Sequence, residues 1–427
     1  MDTLIKINHT NQNLMETYQL TKVKNCFQDN SLTDVDRVCQ RELMKLSGLI
    51  KNGASIAIGV GSRGICNLEI VVREVVDFVK SRGAHPFIIP AMGSHGGATA
   101  GGQEEVLSGY GITKKKMGSP IRSSMEAVEI PNKGGIHRIY MDKFAYESDG
   151  IILINRIKPH TDFHGKYESG LVKMAVIGIG KELGAEAIHY YGVHGLINLI
   201  PYTAEKVFGT GKILGGIGLI ENAYDKTMMV QAIPGNEILK EELKLIDIAR
   251  ANMPKLPVDK IDALLIDWMG KDISGVGMDT NIIGRIKIPR QPEPESPKIK
   301  SIVVRDLTDE SHGNVTGIGL ADIITKKLFH KIDFEKTNKN IATSSFLERG
   351  KIPFIAENDR EALELALRNC GHASPGKERI IRIKDTLHLD ELYVSEAILR
   401  EIKDNPQIEV TGESMPIFDN NNSLLPF

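Results

Sequence analysis

The sequence predicts an α/β fold of two domains, each built on a largely parallel sheet, with an active-site cleft between them. Three observations support this prediction. The chain has 427 residues, which is long for a single hydrophobic core. Short apolar runs alternate with helical patterns from residue 55 onward. This alternation is interrupted near residues 252–257 and then begins again. We therefore expect one domain at residues 1–256 and a second at residues 257–427.

Three buried strands are predicted in the first domain by apolar runs at residues 55–60, 86–90 and 150–155. Each of these runs is followed directly by polar residues, among them Arg63, His95 and His160. In open α/β sheets, ligands bind beyond the carboxyl ends of the strands. If the three strands are parallel neighbours, these three side chains converge on one crevice.

Helices of the first domain are predicted by apolar periodicity at residues 34–51, 68–80, 103–107 and 183–191. Thr99 is expected to cap the third of these helices. Gly178 and Gly180 resemble part of a dinucleotide-binding turn, but the third glycine is misplaced, so a tight turn into the last helix is the better interpretation.

The second domain is predicted from strands at residues 261–267, 301–304, 352–355 and 380–383, with helices at residues 359–369 and 390–403. The loops at residues 268–281 and 306–319 follow strands, so we expect them to face the first domain's site. His312 and Asn314 lie in the second loop. They are candidate substrate contacts, although a capping turn before a helix near residues 320–329 needs similar residues.

Composition and charge exclude several classes of function. The formal net charge is −2, which argues against a nucleic-acid partner or a charged membrane surface. The sequence shows no signal-peptide pattern and no apolar run near ~18 residues that could span a membrane. The four cysteines are scattered and show no paired spacing, which is typical of free thiols in the cytoplasm. We expect a cytoplasmic protein that binds a small molecule.

Residues 155–195 hold four of the twelve histidines, namely His160, His164, His189 and His194, around Lys173. Neutral imidazole binds nickel, zinc, copper or iron, and it also suits acid/base catalysis near neutral pH. A desolvated lysine amine is nucleophilic and can hold a cofactor covalently. The segment therefore predicts an active site with a metal or a covalently attached cofactor.

Some of these residues have simpler interpretations. His95, between glycines, would suit a turn in which the ring bonds nearby carbonyls, but its place beyond a strand end favours a function. His160 and His164 would share one metal only within a helix, whereas Pro159 and Gly165 favour a loop. The lysines Lys158, Lys166 and Lys181 are interpreted as solvated or phosphate-facing.

Five features in a fixed order resemble the lactate racemase family over roughly residues 50–200. They are an arginine turn at Arg63, a Gly-Ser-His turn at His95, Pro159-His160, Ser169-Gly-Leu-Val-Lys173, and His189 sixteen residues after the lysine. Proteins of this family use a nickel-pincer nucleotide, a nicotinic-acid-derived mononucleotide that grips nickel through sulfur, carbon and sulfur.

The resemblance implies a catalytic, cofactor-binding first domain and a second domain that closes over the substrate. Lys173 would tether the cofactor through a thioamide, and His189 would complete the square-planar set around nickel. His95 and His160 would be opposed acid/base groups. Further implied contacts are Gly61, Ser62 and Ser169 toward the cofactor, and Arg63, His312 and Asn314 toward the substrate. Enzymes that make the cofactor would be partners of the chain.

The sequence also departs from the family pattern. Ser-Gly-Gly-x-Lys becomes Ser169-Gly-Leu-Val-Lys173, and Val60 and Gly61 replace an acidic residue and a histidine. The Gln-x-x-Lys of the family's second domain has no clear counterpart, unless residues 311–314 or 271–272 replace it. We therefore expect racemisation or epimerisation of a 2-hydroxy acid that is lactate-like or larger, such as a sugar acid.

Two alternatives remain from the residues alone. The histidines His160, His164 and His189 would suit a zinc- or iron-dependent hydrolase or lyase. A non-enzymatic protein that carries a nickel nucleotide would also need Lys173 and His189, but it would not need acid/base histidines at two strand ends.

Overall fold

The structure is a computed structural model that describes residues 19–62, 64–344, 346–371 and 376–427. The described residues form two compact units, Gln28–Met253 and Pro254–Phe427, and the second unit also includes residues 19–27. Both are α/β units with largely parallel sheets, as predicted. No helix in these residues is long and apolar enough to cross a membrane.

The described residues include fifteen strands. They are β1 Gln19–Asn25, β2 Ser55–Val60, β3 His85–Pro90, β4 Ala127–Ile130, β5 Ile139–Asp142, β6 Gly150–Arg156, β7 Ile213–Glu221, β8 Thr227–Pro234, β9 Lys260–Met269, β10 Lys298–Leu307, β11 Ile323–Thr325, β12 Phe354–Ala356, β13 Ile380–Ile383, β14 Glu391–Ser395 and β15 Ile408–Pro416.

The α-helices of the described residues are mostly short. They are α1 Val35–Leu43, α2 Leu68–Ser81, α3 Ala100–Gly109, α4 Lys114–Met117, α5 Lys143–Glu147, α6 Leu171–Lys173, α7 Lys181–His189, α8 Gly192–His194, α9 Ile200–Phe208, α10 Ile238–Ala251, α11 Thr280–Ile283, α12 Lys326–Phe329, α13 Phe334–Ser344, α14 Asp359–Cys370 and α15 Glu396–Ile402. Wider π-helical turns follow α6 at Met174–Gly178 and α8 at Gly195–Leu199.

The sheet of the Gln28–Met253 unit has the strand order β3-β2-β6-β7-β8. Its first four strands are parallel, and β8 is an antiparallel edge strand. The three strands predicted from sequence are therefore parallel neighbours, and their carboxyl ends lie at one edge of the sheet. One face of the sheet is covered by α2, whose Val71, Val75 and Val79 are fully buried. Ile70 belongs to the same apolar stripe of α2 as these valines, but it lies at the margin of the buried face and is exposed.

The sheet of the Pro254–Phe427 unit has the order β12-β11-β10-β9-β13-β14-β1-β15. Its first five strands are parallel, and the last three are joined by antiparallel pairing. The domain boundary predicted at residues 256–257 lies three residues beyond the observed one. The prediction also placed residues 19–27 in the wrong domain. The reason is that β1 pairs with β14 and β15 of this sheet, where Leu20 and Val23 become fully buried.

Two predicted helices of the second domain also differ in the structure. Residues 390–403 form the strand β14 before the helix α15, because residues 391–395 pair with β1 and β13. Residues 320–329 contain the short strand β11 before α12. In both cases the first residues of the predicted helix pair with neighbouring strands of the sheet, and this tertiary pairing overrides the local helical pattern.

A buried ion pair joins the two central strands of the second sheet. Arg382 on β13 donates to both carboxylate oxygens of Asp267 on β9, at 2.8 and 2.6 Å, and each side chain is only 2% exposed. Arg305 on β10 lies 3.5 Å from the same carboxylate. The guanidinium of Arg382 also donates to the carbonyl of Leu425 at 2.7 Å, so it ties the carboxyl-terminal segment to the sheet. The pair is tolerated because its charges are matched and hydrogen-bonded.

We predict that Arg382→Met lowers the free energy of unfolding by about 3–5 kcal/mol, because it leaves the buried carboxylate of Asp267 without its bidentate partner. Arg400→Met is the matched control. Arg400 pairs with Glu396 at 2.8 Å, but its side chain is 74% exposed, so the expected loss is within ~0.5 kcal/mol. Urea unfolding of both variants measures the difference. Equal losses in the two variants would contradict this account of the core.

Candidate functional site

The candidate site lies at the carboxyl edge of the first sheet. Gly61 and Ser62 follow β2, His95 lies five residues beyond β3, and His160 lies four residues beyond β6. Gly61 is buried, and a Cβ there would lie 3.0 Å from Asn155 Oδ1, so only glycine fits without a shift of its neighbours. Arg63 lies outside the described residues. The predicted convergence therefore holds for the loops that carry the two histidines.

His95 is held in place by the two neighbouring loops. Its Nδ1 contacts the hydroxyl of Ser62, and Tyr110 donates to the carbonyl of Ser62 at 2.6 Å. Gln103 on α3 donates its amide to the carbonyls of Gly93 and His95, at 2.8 and 3.2 Å. Thr99 caps α3 as predicted, because its hydroxyl accepts from the backbone N–H of Gly102. The ring of His95 remains exposed although its backbone is fixed.

A buried lysine supports the same loop from below. Lys181 is fully buried, so its interpretation as a solvated or phosphate-facing lysine was wrong. Its amine donates to the carbonyl of Pro90 at 2.7 Å and to Gln103 Oε1 at 3.1 Å, and it lies 3.1 Å from Asp142 Oδ2. Burial lowers the pKa of Lys181 and raises the pKa of Asp142, because both charged forms lose water. The sequence shows no motif for this cluster, since its three side chains, at positions 103, 142 and 181, are 39 residues or more apart.

His160 lies in a loop that is closed by backbone pairing. Lys158 and Ser169 exchange two backbone hydrogen bonds, of 3.0 and 3.2 Å. Inside the loop, the backbone N–H of His160 donates to Glu168 Oε2 at 2.7 Å, and Arg250 holds the other oxygen of this buried carboxylate at 3.0 Å. The ring of His160 packs against Phe163, with 4.6 Å between centroids. A loop was expected here, and no helix aligns His160 with His164, whose Nδ1 lies 3.4 Å from Glu168.

Lys173 ends the short helix α6, directly before a π-helical turn. Its amine contacts Nε2 of His160 and lies 5.6 Å from the ring centroid of Phe163. This helix approaches the sheet closely, because a Cβ at Gly216 on β7 would come within 2.8 Å of Leu171. The tether candidate and one acid/base candidate are therefore direct neighbours.

Glu242 on α10 caps the first turn of α6. Its Oε2 accepts from the backbone N–H groups of Leu171 and Val172, at 2.6 and 3.0 Å. Its Oε1 has no hydrogen-bond partner among the described residues. Burial raises the pKa of Glu242 to about 7, and the two N–H donors oppose this only in part. Sequence reasoning missed this residue, which lies 69 positions from Lys173 within an ordinary amphipathic helix.

His189 is the last residue of α7. The surrounding protein lowers the pKa of its ring to about 4, first by desolvation and then through the charge of Lys173, whereas Asp162 opposes the change. The residue as a whole nevertheless retains exposed surface. His189 is thus neutral at neutral pH, and neutral imidazole is the form that binds a metal.

His312 and Asn314 lie in the second unit, after β10. His312 is exposed and has a positive φ of 47°. Asn314 Oδ1 accepts from the backbone N–H and the hydroxyl of Thr316, at 3.1 and 2.7 Å. These bonds fit the alternative of a local turn, and a substrate-binding role for the two residues stays a prediction.

The described residues contain no group of three or more histidine, cysteine, aspartate or glutamate side chains placed to hold a metal. A zinc or iron centre built from His160, His164 and His189 needs such a group. In the structure, Nε2 of His160 contacts Lys173, and His164 is near Glu168 instead. Of the three histidines, His189 then remains as a candidate for a single metal ligand, and Lys173 acts on it electrostatically.

Comparison with known proteins supports the fold. No protein-family profile matches the sequence, and no curated protein matches it. The structure of the lactate racemase apoprotein from Thermoanaerobacterium thermosaccharolyticum is similar, with a TM-score of 0.54 and 12% identity over 86% of this chain and 98% of that chain. A protein from Thermotoga maritima has a TM-score of 0.50 and 15% identity over 76% of this chain and 84% of that one. The chain therefore has a lactate racemase-like fold.

The cap of α6 predicts a pH dependence of stability. The folded state holds the proton of Glu242 up to pH of about 7, whereas the ordinary pKa is 4.5. The stabilisation is therefore full below pH 4.5, declines as the pH rises to about 7, and is absent above it. At ~1.4 kcal/mol per pKa unit, the decline amounts to ~3 kcal/mol.

Glu242→Gln should remove this decline, because a neutral amide mimics the protonated acid at every pH. Glu237→Gln, at an exposed position just before α10, is the control and should keep it. Urea unfolding across this pH range measures both variants. An unchanged slope in Glu242→Gln would show that another group is responsible.

Proposed function

We propose that the chain is a racemase or epimerase of a 2-hydroxy acid that depends on a nickel-pincer nucleotide. The observation that carries this proposal is the contact of the Lys173 amine with His160, together with His189, whose ring is kept neutral chiefly by desolvation. His95 lies at the same sheet edge, beyond β3, and β2 lies between β3 and the β6 strand that precedes His160. The lactate racemase-like fold agrees with this assignment.

The residues present fit a tethered nickel cofactor. A pincer nucleotide brings three of the four donors around nickel, so it needs one lysine and one imidazole from the protein. Lys173 and His189 are such a pair, and both keep access to solvent. When bound, the cofactor supplies a ring that accepts a hydride from carbon 2 of the substrate and returns it. Gly61, Ser62 and Ser169, on the adjoining loops, would line it.

The protein's own residues then handle the protons. On one side of the substrate, His95 takes the hydroxyl proton or returns it, and Ser62 and Gln103 keep the ring and its backbone in position. On the other side, His160 performs the same task and packs against Phe163. Inversion of a carbon needs a base for each enantiomer, which explains two histidines on different strand ends.

The substrate would be a 2-hydroxy acid larger than lactate, or lactate-like. Arg63 would hold its carboxylate, and His312 and Asn314 would contact the rest of it. The enzymes that build the cofactor would be the partners that supply it. The carrier alternative retains Lys173 and His189, but it gives no role to a serine-held histidine at the end of β3.

Attachment of the cofactor is the first test. Protein co-expressed with cofactor-making enzymes should carry a mass adduct on Lys173 and about one nickel per chain, since a single site is present. Lys173→Ala should lose both, whereas His189→Ala should keep the adduct and lose most of the nickel. Intact-mass and metal analysis measure this. Lys166→Ala and His194→Ala are exposed controls from the same segment. An adduct that survives Lys173→Ala would refute the assignment.

The origin of the hydrogen at carbon 2 is the second test. Candidate 2-hydroxy acids are supplied in deuterated water, and configuration and isotope content are followed together. Hydride transfer keeps the substrate's own hydrogen at carbon 2, whereas abstraction of a proton brings in deuterium. His95→Ala and His160→Ala should each lower the rate of inversion by ~10²–10⁴-fold. Full solvent deuterium at carbon 2 would rule out the hydride route even with inversion observed.

A further inference from the structure

The backbone fixes the protonation of the His160 ring. The N–H of Asp162 lies 3.0 Å from His160 Nδ1. A backbone N–H only donates, so Nδ1 must offer a lone pair. A neutral imidazole carries its single proton on the other nitrogen, which here is Nε2. The loop that is closed by Lys158 and Ser169 holds this geometry in place.

The same Nε2 contacts the amine of Lys173. An ammonium group has three donors and no acceptor, so it cannot accept the proton on Nε2. An unprotonated amine has a lone pair and can accept it. If Lys173 were charged, the ring proton would have to move to Nδ1, where it would face the N–H of Asp162. Both ring nitrogens are satisfied only when Lys173 is neutral.

We propose that the chain without cofactor holds Lys173 as an unprotonated, nucleophilic amine through the tautomer of His160, and so catalyses its own covalent loading. This inference rests on the proposed function. The substrate of the step is a thioacyl donor with an oxygen or sulfur leaving group. The nitrogen of Lys173 forms a bond to the thioacyl carbon, the bond to the leaving group breaks, and the proton lost by nitrogen departs with that group. No oxidant or reductant is needed.

The groups around His160 and Lys173 differ in which protonation state of the two side chains they favour. The carboxylate of Asp162 lies 3.8 Å from Nδ1 and favours a proton there, and Phe163 beneath the amine favours a cation. His189 is neutral and adds no charge. Glu168, neutralised by Arg250, bonds the backbone of His160 and not its ring. The direct bond from Asp162 N–H decides the tautomer, since it is the shorter contact.

Competitive acetylation tests the state of the amine in protein that lacks cofactor. Trace acetic anhydride is applied at pH ~7 and at pH ~11, and the rate at each lysine is read by peptide mass spectrometry. The rate at pH ~7 divided by the rate at pH ~11 removes differences in accessibility between lysines. An ordinary lysine, with a pKa near ~10.4, is almost fully protonated at pH ~7 and reacts slowly there. The ratio for Lys173 should therefore exceed that for exposed Lys166 by more than ~100-fold. Equal ratios would overturn the proposal.

His160→Phe should bring the ratio for Lys173 down to that of Lys166, whereas His164→Phe, in the same loop, should leave it high. In ¹⁵N spectra of the protein without cofactor, the ring of His160 should carry its proton on Nε2. A proton on Nδ1 would also overturn the proposal.

These measurements need neither nickel nor substrate, so they separate two kinds of failure. A reactive Lys173 in a protein that never acquires an adduct would refute the proposed function and support the amine's state. An adduct on Lys173 with an ordinary acetylation ratio would support the function and refute self-loading.

Discussion

The candidate site depends on the parallel pairing of β2 with β3 and β6. In this register Val60 lies opposite Pro90 on one side and Ile154 on the other, so the loops after β3 and β6 each begin about one strand spacing from the loop after β2. Parallel strands need crossover connections, and these carry α2 and α3 to the faces of the sheet. The loops are consequently free to carry serine and histidine, while the apolar residues beneath them form the core.

The positions of the reactive side chains are then set by buried polar groups, and each of these has a cost. The amine of Lys181 is desolvated where it donates to the carbonyl of Pro90 and to Gln103. Gln103 in turn holds the turn that carries His95. Glu242 is held in an unfavourable environment to cap the helix that ends at Lys173. Replacement of such buried charged groups by apolar residues is often neutral or stabilising, because it avoids the desolvation penalty. Their geometry suggests that they serve to position the two loops.

The sequence was sufficient to predict the strands near the site, but it did not predict the buried polar residues that hold the site loops in position. Residues 55–60 and 380–383 were predicted with their observed bounds, because a run of apolar residues between turn residues reports burial directly. Strand β7 was missed because glycines at 215, 216 and 218 interrupt its apolar pattern, and these are the positions where neighbours pack against the backbone. The roles of Lys181 and Glu242 were missed because the sequence does not distinguish a buried charged residue from a solvated one. Only tertiary contacts make that distinction.

Such a site can persist at very low sequence identity. Several of its fixed contacts use backbone atoms: Asp162 N–H on His160, the carbonyls of Gly93 and His95 on Gln103, and the pairing of Lys158 with Ser169. Backbone contacts constrain the path of the chain and leave most side chains free to change. The fold itself is shared with a lactate racemase apoprotein at only 12% identity over 86% of this chain. Under the proposed function, the side chains that must be retained are those of Lys173, His189, His95 and His160, and the sequence analysis singled out these four from their order and spacing.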